Sequence, residues 1–528
     1  MATFNRRDFF KMVGVSGAAG LTACDIQTPV EQVLPYVVQP TQILPGVPTF
    51  FATIWGDGTF PYGAVLRNRE GRVVFVGGNP ESPVGQGGMD SLGVAGPQDI
   101  YDPDRFEGPQ GVADWAEADS RLASALQGAA WLGRYRTGAL GRLIGDFTTA
   151  TGGRRVHWEP YGYESLARAT EAVFGRDGVL PRYILDDAQV IVSFGADWLK
   201  TWGPSVDHAA GWARARDASS GHVAEFYAIE PRVSHTGTKC DVYWQTKPGA
   251  EAWVALALAR LVADKKGVSV PWLPEASKAA DLGGIELAKL ETLATKLAEK
   301  PSVVFPGGVA NQGANSTHLA AATLILNFVC GNIGQTVKLD HNLGQVDGFA
   351  AVKALLADCA AGKVKTLFID ALDPVFTLPS ELDAAGALAK VENLVLFTNT
   401  PDETTAVPGA IVLPPGTCWE SWGDAEIVRG KHGLQQPGML PHHDTRSVGD
   451  TLLALAKAGS LSLPVEPREE EEAPVEGEEV PVPVVVTVGG KAAVASFEAV
   501  DFYRYVAGHW TDIAAANGND AAHGWSFT

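Results

Sequence analysis

From residue 112 onward, short apolar runs alternate with longer segments of helical period. The clearest short runs are 188–194, 303–305, 366–369 and 394–397. Their length and continuous hydrophobicity are typical of strands that are buried on both faces. The helical segments include 251–265 and 315–330, which are rich in alanine and leucine. This alternation predicts βαβ units, and therefore an α/β fold with parallel sheets flanked by helices.

A small β-containing region is predicted near the amino terminus. Two strand-like runs, 63–66 and 72–76, are joined by a polar segment of hairpin length. The preceding residues 24–60 are rich in proline and have no helical period. We expect them to form an extended segment that docks along a neighbouring surface and contributes no core element.

The 528 residues predict several domains or subdomains, at roughly 150 residues for each domain. We assign the α/β body to residues 61–465. Residues 466–479 hold eight glutamates and one arginine and are predicted to be an acidic linker. Residues 480–528 follow, with a strand at 480–488 and an amphipathic helix at 497–510 whose aromatic residues are candidate docking elements.

The charge balance argues against one class of partner. The chain has 41 basic and 61 acidic residues, and its formal net charge is −20. A nucleic acid would be repelled over most of such a surface. No nucleic-acid partner is therefore expected.

The first residues have the pattern of an export signal. Arg6 and Arg7 form a twin-arginine motif, and the apolar stretch 12–23 is too short to span a bilayer. Leu21-Thr22-Ala23-Cys24 is similar to a lipobox, in which Cys24 would become a lipid anchor. The alternative is an ordinary cleavage site beside a free cysteine. With the anchor, the protein would lie on the periplasmic side of the cytoplasmic membrane.

The remaining cysteines and histidines provide no strong metal motif. The five cysteines, at positions 24, 240, 330, 359 and 418, are scattered, so neither a disulfide framework nor a zinc site nor an iron–sulfur cluster is predicted. His442, His443 and Asp444 can be considered as metal ligands, but a polar loop is the strongly favoured interpretation, because adjacent histidines on an extended segment point to opposite sides.

A series of motifs resembles the molybdopterin oxidoreductase superfamily of the dimethyl sulfoxide reductase type. The motifs lie at 78–83, 101–105, 194–197, 231–234, 247–251, 330–334 and 411–420. The resemblance implies that superfamily's multi-domain α/β fold. It also implies a pterin pocket, vestigial here, with these candidates: Gly195, Asp197, Gly249, Glu251, Gly307, Gly308, Asp373 and Glu420. Several of them are in loops that follow predicted strands, where open α/β sheets bind ligands, although glycines there are also ordinary turn residues.

A narrower resemblance involves residues 6–11, 21–24, 29–40 and 45–53. These are similar to the B subunit of bacterial alternative complex III, a quinol-oxidising complex. The resemblance implies a molybdenum-free subunit without its own cofactor. The implied partners are a ferredoxin-like iron–sulfur subunit, a quinone-binding integral membrane subunit and multihaem cytochrome subunits. Because the family's B subunit continues into a ferredoxin-like domain, this chain is expected either to pair with a separate ferredoxin-like chain or to be a fragment.

The segment 158–166 corresponds to the one that carries the molybdenum ligand in catalytic relatives. It contains no cysteine; Ser165 is the one standard ligand type and Glu164 is a non-standard one. The simpler interpretation is that Ser165 belongs to the start of a helix.

Three functions remain open from the sequence. The favoured one is a non-catalytic structural subunit that docks an iron–sulfur partner within a membrane quinol oxidoreductase. The second is an active molybdenum bis-pterin oxidoreductase that acts on a small oxyanion or sulfur compound. The third is a free-standing exported binding protein.

Overall fold

The computed structural model describes residues 44, 46–56, 59–160, 162–308, 313–342 and 347–463, with the short segments 485–488, 491–494, 502–503, 505–506 and 509. Two units are distinguished, Met1–Pro45 and Gly46–Thr528, and the architecture below belongs to the second. Arg6, Arg7, Cys24 and the acidic linker 466–479 lie outside the described residues.

Strands and helices alternate through the body. The strands are β1 (Thr49–Trp55), β2 (Tyr62–Arg69), β3 (Arg72–Gly78), β4 (Ala130–Gly133), β5 (Arg155–His157), β6 (Val179–Tyr183), β7 (Val190–Ser193), β8 (Glu225–Glu230), β9 (Val242–Gln245), β10 (Ser302–Phe305), β11 (Val337–Asn342), β12 (Thr366–Asp370), β13 (Asn393–Phe397), β14 (Ile411–Val412), β15 (Gly423–Val428), β16 (Lys431–Gln435), β17 (Val485–Val488) and β18 (Lys491–Val494).

The α-helices are α1 (Ser91–Ala95), α2 (Trp115–Ala123), α3 (Gly138–Ala150), α4 (Glu164–Phe174), α5 (Ser205–Ala215), α6 (Glu251–Lys266), α7 (Ala276–Gly283), α8 (Leu287–Glu299), α9 (Ser316–Cys330), α10 (Gly348–Ala360), α11 (Pro374–Thr377), α12 (Ala384–Leu388) and α13 (Val448–Ala458). Short 3-10 helices lie at Gly96–Tyr101, Ala218–Ser220, Gly237–Lys239 and Ser380–Leu382.

Two parallel sheets form the centre of the body. One has the strand order β10-β7-β8-β9 and the other β14-β13-β12-β4-β5. Every residue of β7, β10, β12 and β13 is buried, as expected for strands with helices on both faces. The predicted α/β class, the four central strands and the two predicted helices are therefore confirmed.

A separate hydrophobic core lies on each face of each parallel sheet. In the four-stranded sheet, Val192 packs with α6 and α9, while Ile191 packs on the opposite face with α4. In the five-stranded sheet, Phe368 packs with α3 and α13, and Leu367 packs with α10. The alternation of side chains along a strand thus fills two cores from one short apolar run.

The amino-terminal β region is a three-stranded antiparallel sheet of order β1-β2-β3. The hairpin of β2 and β3 confirms the sequence prediction. Strand β1 corrects it: Thr49–Trp55 was placed in an extended docking segment without a core role, yet it pairs with β2 along its whole length and buries Ala52 and Ile54. A backbone partner and a buried face override the proline-rich composition of the preceding residues.

The carboxyl-terminal segment also differs from expectation. The predicted strand is observed at Val485–Val488, and it pairs with a second strand, Lys491–Val494, that the sequence did not predict. Phe502, Tyr505 and Val506 are buried in the core that includes α3 and α13. The aromatic residues proposed for docking therefore include two that pack on the chain itself.

Among the residues that the structure describes, no helix has both the length and the apolar character needed to cross a bilayer.

The packing of Phe502 can be tested by truncation. Its ring is 2% exposed, so Phe502→Ala is expected to lower the free energy of unfolding by about 3 kcal/mol. Phe376→Ala is the matched control, because that ring is 71% exposed and its loss is expected to cost little. Chemical denaturation measures both; equal small effects would contradict a docked carboxyl-terminal segment.

Candidate functional site

The carboxyl ends of β7 and β10 bring three of the candidate glycines together. The two strands are parallel neighbours, and the Ala196 amide donates to the Pro306 carbonyl at 3.2 Å. Gly195 has a φ of 94°, which favours glycine. A side chain at Gly308 would approach the Ala196 Cα to 3.0 Å, so this close backbone approach also favours glycine. Gly307 lies in the same loop.

Asp197 braces the neighbouring loop. One of its carboxylate oxygens accepts hydrogen bonds from the Thr236 amide at 2.8 Å and from the Thr236 hydroxyl at 2.6 Å. Strand β8 ends beside it at Glu230, whose carboxylate accepts from the Ser234 amide at 2.7 Å. Burial raises the pKa of Glu230, which is 2% exposed. Sequence reasoning missed Glu230, although it directly precedes the motif at 231–234.

Gly249 and Glu251 are at the same edge, because they follow β9, the next parallel strand. The Gly249 carbonyl accepts from the Asn315 side chain at 3.1 Å, which connects this loop to the start of α9. Glu251 is the first residue of α6, and burial raises the pKa of its carboxyl group. The topology therefore groups six candidates along one sheet edge.

Asp373 belongs to the other sheet, after β12. Its carboxylate caps α11 by accepting from the Phe376 amide at 3.1 Å and also accepts from the Thr404 hydroxyl at 2.6 Å. Burial opposes ionisation, but these bonds and one from the Glu403 amide hold the pKa of Asp373 below its usual value. Asp373 is therefore separated from the six candidates and has a structural role in its own loop.

Glu420 is buried against Arg105. The guanidinium and the carboxylate are 3.0 Å apart, and both side chains are about 1% exposed. The carboxylate also accepts from the Thr417 amide and hydroxyl, each at 2.8 Å, and from the His442 amide at 2.7 Å. Such a carboxylate has its hydrogen-bonding capacity filled by the protein.

A cavity of about 590 Å³ lies at the carboxyl edge of the five-stranded sheet. Its wall includes the stacked rings of Trp55 and Trp419, whose centroids are 5.1 Å apart. It also includes Asp370, the last residue of β12, which forms a two-bond ion pair with Arg136 at 3.0 and 3.2 Å. None of the eight candidates lines the described wall of this cavity. The sequence pointed to the loop after β12, but the candidate taken from that loop was Asp373, and Asp370 at the strand end itself was not selected.

The candidate molybdenum ligands are engaged by neighbouring helices. The Ser165 hydroxyl, in α4, is 2.8 Å from the Ser316 hydroxyl at the start of α9. The Glu164 carboxylate accepts from the Phe349 amide in α10 at 2.9 Å. Both side chains are therefore used in contacts between helices.

His442, His443 and Asp444 are in the loop before α13. Asp444 accepts from the Trp115 indole at 3.1 Å, and His442 packs edge-on against Tyr101. Within the described part of the chain, no three His, Cys, Asp or Glu side chains are grouped as a metal site would require. Burial raises the pKa of the Cys330 thiol to about 12 and that of Cys359 to about 11.

Comparisons with known proteins give two relatives and a structural neighbour. No protein-family model matches the chain. The menaquinone reductase molybdopterin-binding-like subunit of Nitratidesulfovibrio vulgaris is 25% identical over 451 residues, which cover 76% of this chain and 64% of that protein. A nitrate reductase of Shewanella frigidimarina is 24% identical over 311 residues, 47% of this chain and 32% of that protein. This chain therefore spans less than two thirds of either relative.

One structural neighbour is acetylene hydratase from Pelobacter acetylenicus. The two structures superpose with a TM-score of 0.59, over 78% of this chain and 67% of that one. Their sequences are 13% identical, so this similarity concerns the fold.

The structural role of Ser165 predicts a specific double-mutant result. Ser165→Ala and Ser316→Ala each remove one partner of the same hydrogen bond, so each is expected to cost about 1 kcal/mol of unfolding free energy. The double variant is expected to cost less than the sum. Denaturation of all three variants measures this coupling; strictly additive losses would contradict the Ser165–Ser316 bond.

Breaking the buried ion pair should be severe. Glu420→Ala leaves the Arg105 charge buried without its partner and is expected to cost about 3–5 kcal/mol of unfolding free energy. The control is Glu171→Ala, whose partner Arg168 is exposed and whose loss should cost under about 1 kcal/mol. If thermal denaturation gives similar small shifts for both variants, Glu420 has no such role.

Proposed function

Since this chain has the fold of the molybdopterin oxidoreductase superfamily, to which both relatives and the structural neighbour belong, we propose that it is a non-catalytic subunit of a membrane-bound quinol oxidoreductase. The resemblance to the superfamily is thereby confirmed. The proposal is more specific, because it assigns the chain to an alternative complex III type of assembly and to a scaffold role.

The strongest support for a quinone-related function is the name of one relative. The relative with the longest alignment is named as a molybdopterin-binding-like subunit of a menaquinone reductase, and the alignment covers 76% of this chain. A quinone reductase operates at a membrane, where its substrate is dissolved. The proposed partners are accordingly a quinone-binding integral membrane subunit, a ferredoxin-like iron–sulfur subunit and multihaem cytochrome subunits.

The scaffold role is supported by the state of the candidate residues. Ser165 and Glu164 are bound to α9 and α10, so the residues best placed as molybdenum ligands stabilise helix packing. The carboxylates of Asp197, Asp373 and Glu420 are bonded to groups of the chain itself. We therefore propose that the chain holds no molybdenum and has no catalytic site of its own.

The proposed location is the periplasmic face of the cytoplasmic membrane. The twin-arginine motif at Arg6 and Arg7 supports export, and the lipobox-like sequence ending at Cys24 supports a lipid anchor. Intact mass of the mature amino terminus would show whether Cys24 is acylated.

Metal analysis of the purified native complex tests the scaffold role. We expect far less than one molybdenum per copy of this chain, together with co-purifying haem and iron–sulfur subunits and quinol oxidation that Ser165→Ala leaves unchanged. About one molybdenum per chain, or a loss of activity in Ser165→Ala with normal assembly, would favour an active molybdenum oxidoreductase. Purification as a lone protein would favour the free-standing binding protein.

A further inference from the structure

The outer face of the β2–β3 hairpin combines positive charge with exposed apolar side chains. It consists of Arg67, Arg69, Arg72, Val74 and Phe75, all of them exposed, and is called the hairpin face below. Val74 and Phe75 are 46% and 45% exposed. Two neighbouring residues of one strand normally point to opposite sides, so their joint exposure needs an explanation.

A β-bulge provides that explanation. Arg67 is paired with Phe75 and Asn68 with Val73, which leaves Val74 as an extra residue in β3. Asn68 is fixed on the inner side of the sheet, where its side chain donates to the Gly438 carbonyl and accepts from the Gly71 amide. Val74 and Phe75 are therefore exposed on a hairpin whose inner side is fixed by hydrogen bonds.

The charge of the hairpin face is opposite to that of the whole protein. The chain has a net charge of −20, yet three arginines are grouped on this hairpin. Among the described residues, none of the three forms an ion pair. The Arg67 guanidinium lies 5.3 Å from the centre of the Phe75 ring. The one carboxylate in the turn, Glu70, accepts from the Gly46 amide at 3.2 Å.

Gly46, the first residue of the second unit, is bonded to the tip of the same hairpin. The Arg69 guanidinium donates to the Gly46 carbonyl at 3.0 Å, and Val47, the next residue, is 54% exposed. The 22 residue-to-residue steps from Cys24 to Gly46 would reach about 75 Å if fully extended. An anchor at Cys24 would therefore hold the body near the membrane without fixing which side faces it.

We propose that the hairpin face binds the anionic lipid surface directly and so orients the body on the membrane. Arginine forks bind phosphate groups, and aliphatic and aromatic side chains enter the headgroup boundary. A lipid anchor at Cys24 would attach the chain to the bilayer without orienting the body, and a basic apolar surface supplies that orientation. This role goes beyond the proposed function; it shares with it only the membrane location, and vesicle binding does not depend on molybdenum or quinone chemistry.

Vesicle co-sedimentation of the full-length chain tests the proposal. Cys24→Ala is included in every variant, so that no acyl chain contributes. The protein that carries Cys24→Ala alone is called the background protein. It is expected to bind vesicles that contain phosphatidylglycerol, to bind pure phosphatidylcholine vesicles much less, and to be released from the vesicles by salt. Each basic residue near an anionic surface contributes roughly fivefold in affinity. The triple variant Arg67→Gln/Arg69→Gln/Arg72→Gln should therefore bind the anionic vesicles at least about tenfold less tightly than the background protein.

Two further variants separate surface contact from general charge. Val74→Ser/Phe75→Ser should also weaken binding, and most clearly at high salt, where the electrostatic part is screened. The control Arg168→Gln/Arg176→Gln/Arg429→Gln makes the same charge change at exposed sites on other elements and should bind like the background protein. Thermal denaturation establishes that each variant is folded.

Three outcomes would overturn the proposal. The first is equal binding by the hairpin triple variant and the control triple variant. The second is binding that appears only after deletion of residues 466–479, which would make the chain's own acidic segment the occupant of the hairpin face. The third is no vesicle binding by the background protein combined with crosslinking of the hairpin face to an acidic subunit in the native complex.

Discussion

The buried ion pair between Arg105 and Glu420 connects the region of the amino-terminal sheet to the segment that follows the five-stranded sheet's β14. Arg105 also donates to the Ile100 carbonyl at 2.8 Å, in the 3-10 helix beside β3. Glu420 ends the segment that follows β14. A buried pair is costly to desolvate, and further hydrogen bonds to its two members offset that cost. Thr417 and His442 provide such bonds to the Glu420 carboxylate, whereas the buried Nε of Arg105 has no hydrogen-bond partner among the described residues.

Trp419, the residue before Glu420, provides further contacts between the amino-terminal sheet and the segment after β14. The Trp419 indole stacks on Trp55 at the end of β1 and donates to the Gly96 carbonyl at 3.0 Å. Both rings line the cavity at the carboxyl edge of the five-stranded sheet. The cavity wall is therefore built by the contacts that hold the two sheets together, and a change at Glu420 would affect both. Glu420, which the sequence suggested as part of a ligand pocket, contributes here to the stability of the fold.

Much of the fold could be predicted because parallel strands buried on both faces leave a simple pattern in the sequence. The runs that became β7, β10, β12 and β13 were each recognisable alone, and the loops at 195–197 and 307–308 were expected at the edge where open α/β sheets bind ligands. The role of β1 could not be predicted, since it depends on pairing with β2. The Asp370–Arg136 pair could not be predicted either, because its two residues are 234 positions apart along the chain. The burial of Phe502 was hidden for the same reason: its amide bonds Asp450, which is 52 positions away.

We propose that the loops at the sheet edges, which are braced by the chain's own carboxylates, hold no pterin. The most direct measurement is the fluorescence of oxidised pterins released when the purified native subunit is denatured under acid. The account predicts no pterin signal above that of the solvent, in a preparation whose partner subunits and haems are intact. A pterin signal stoichiometric with this chain would contradict it, because the edge loops would then bind a cofactor in spite of their internal bonds.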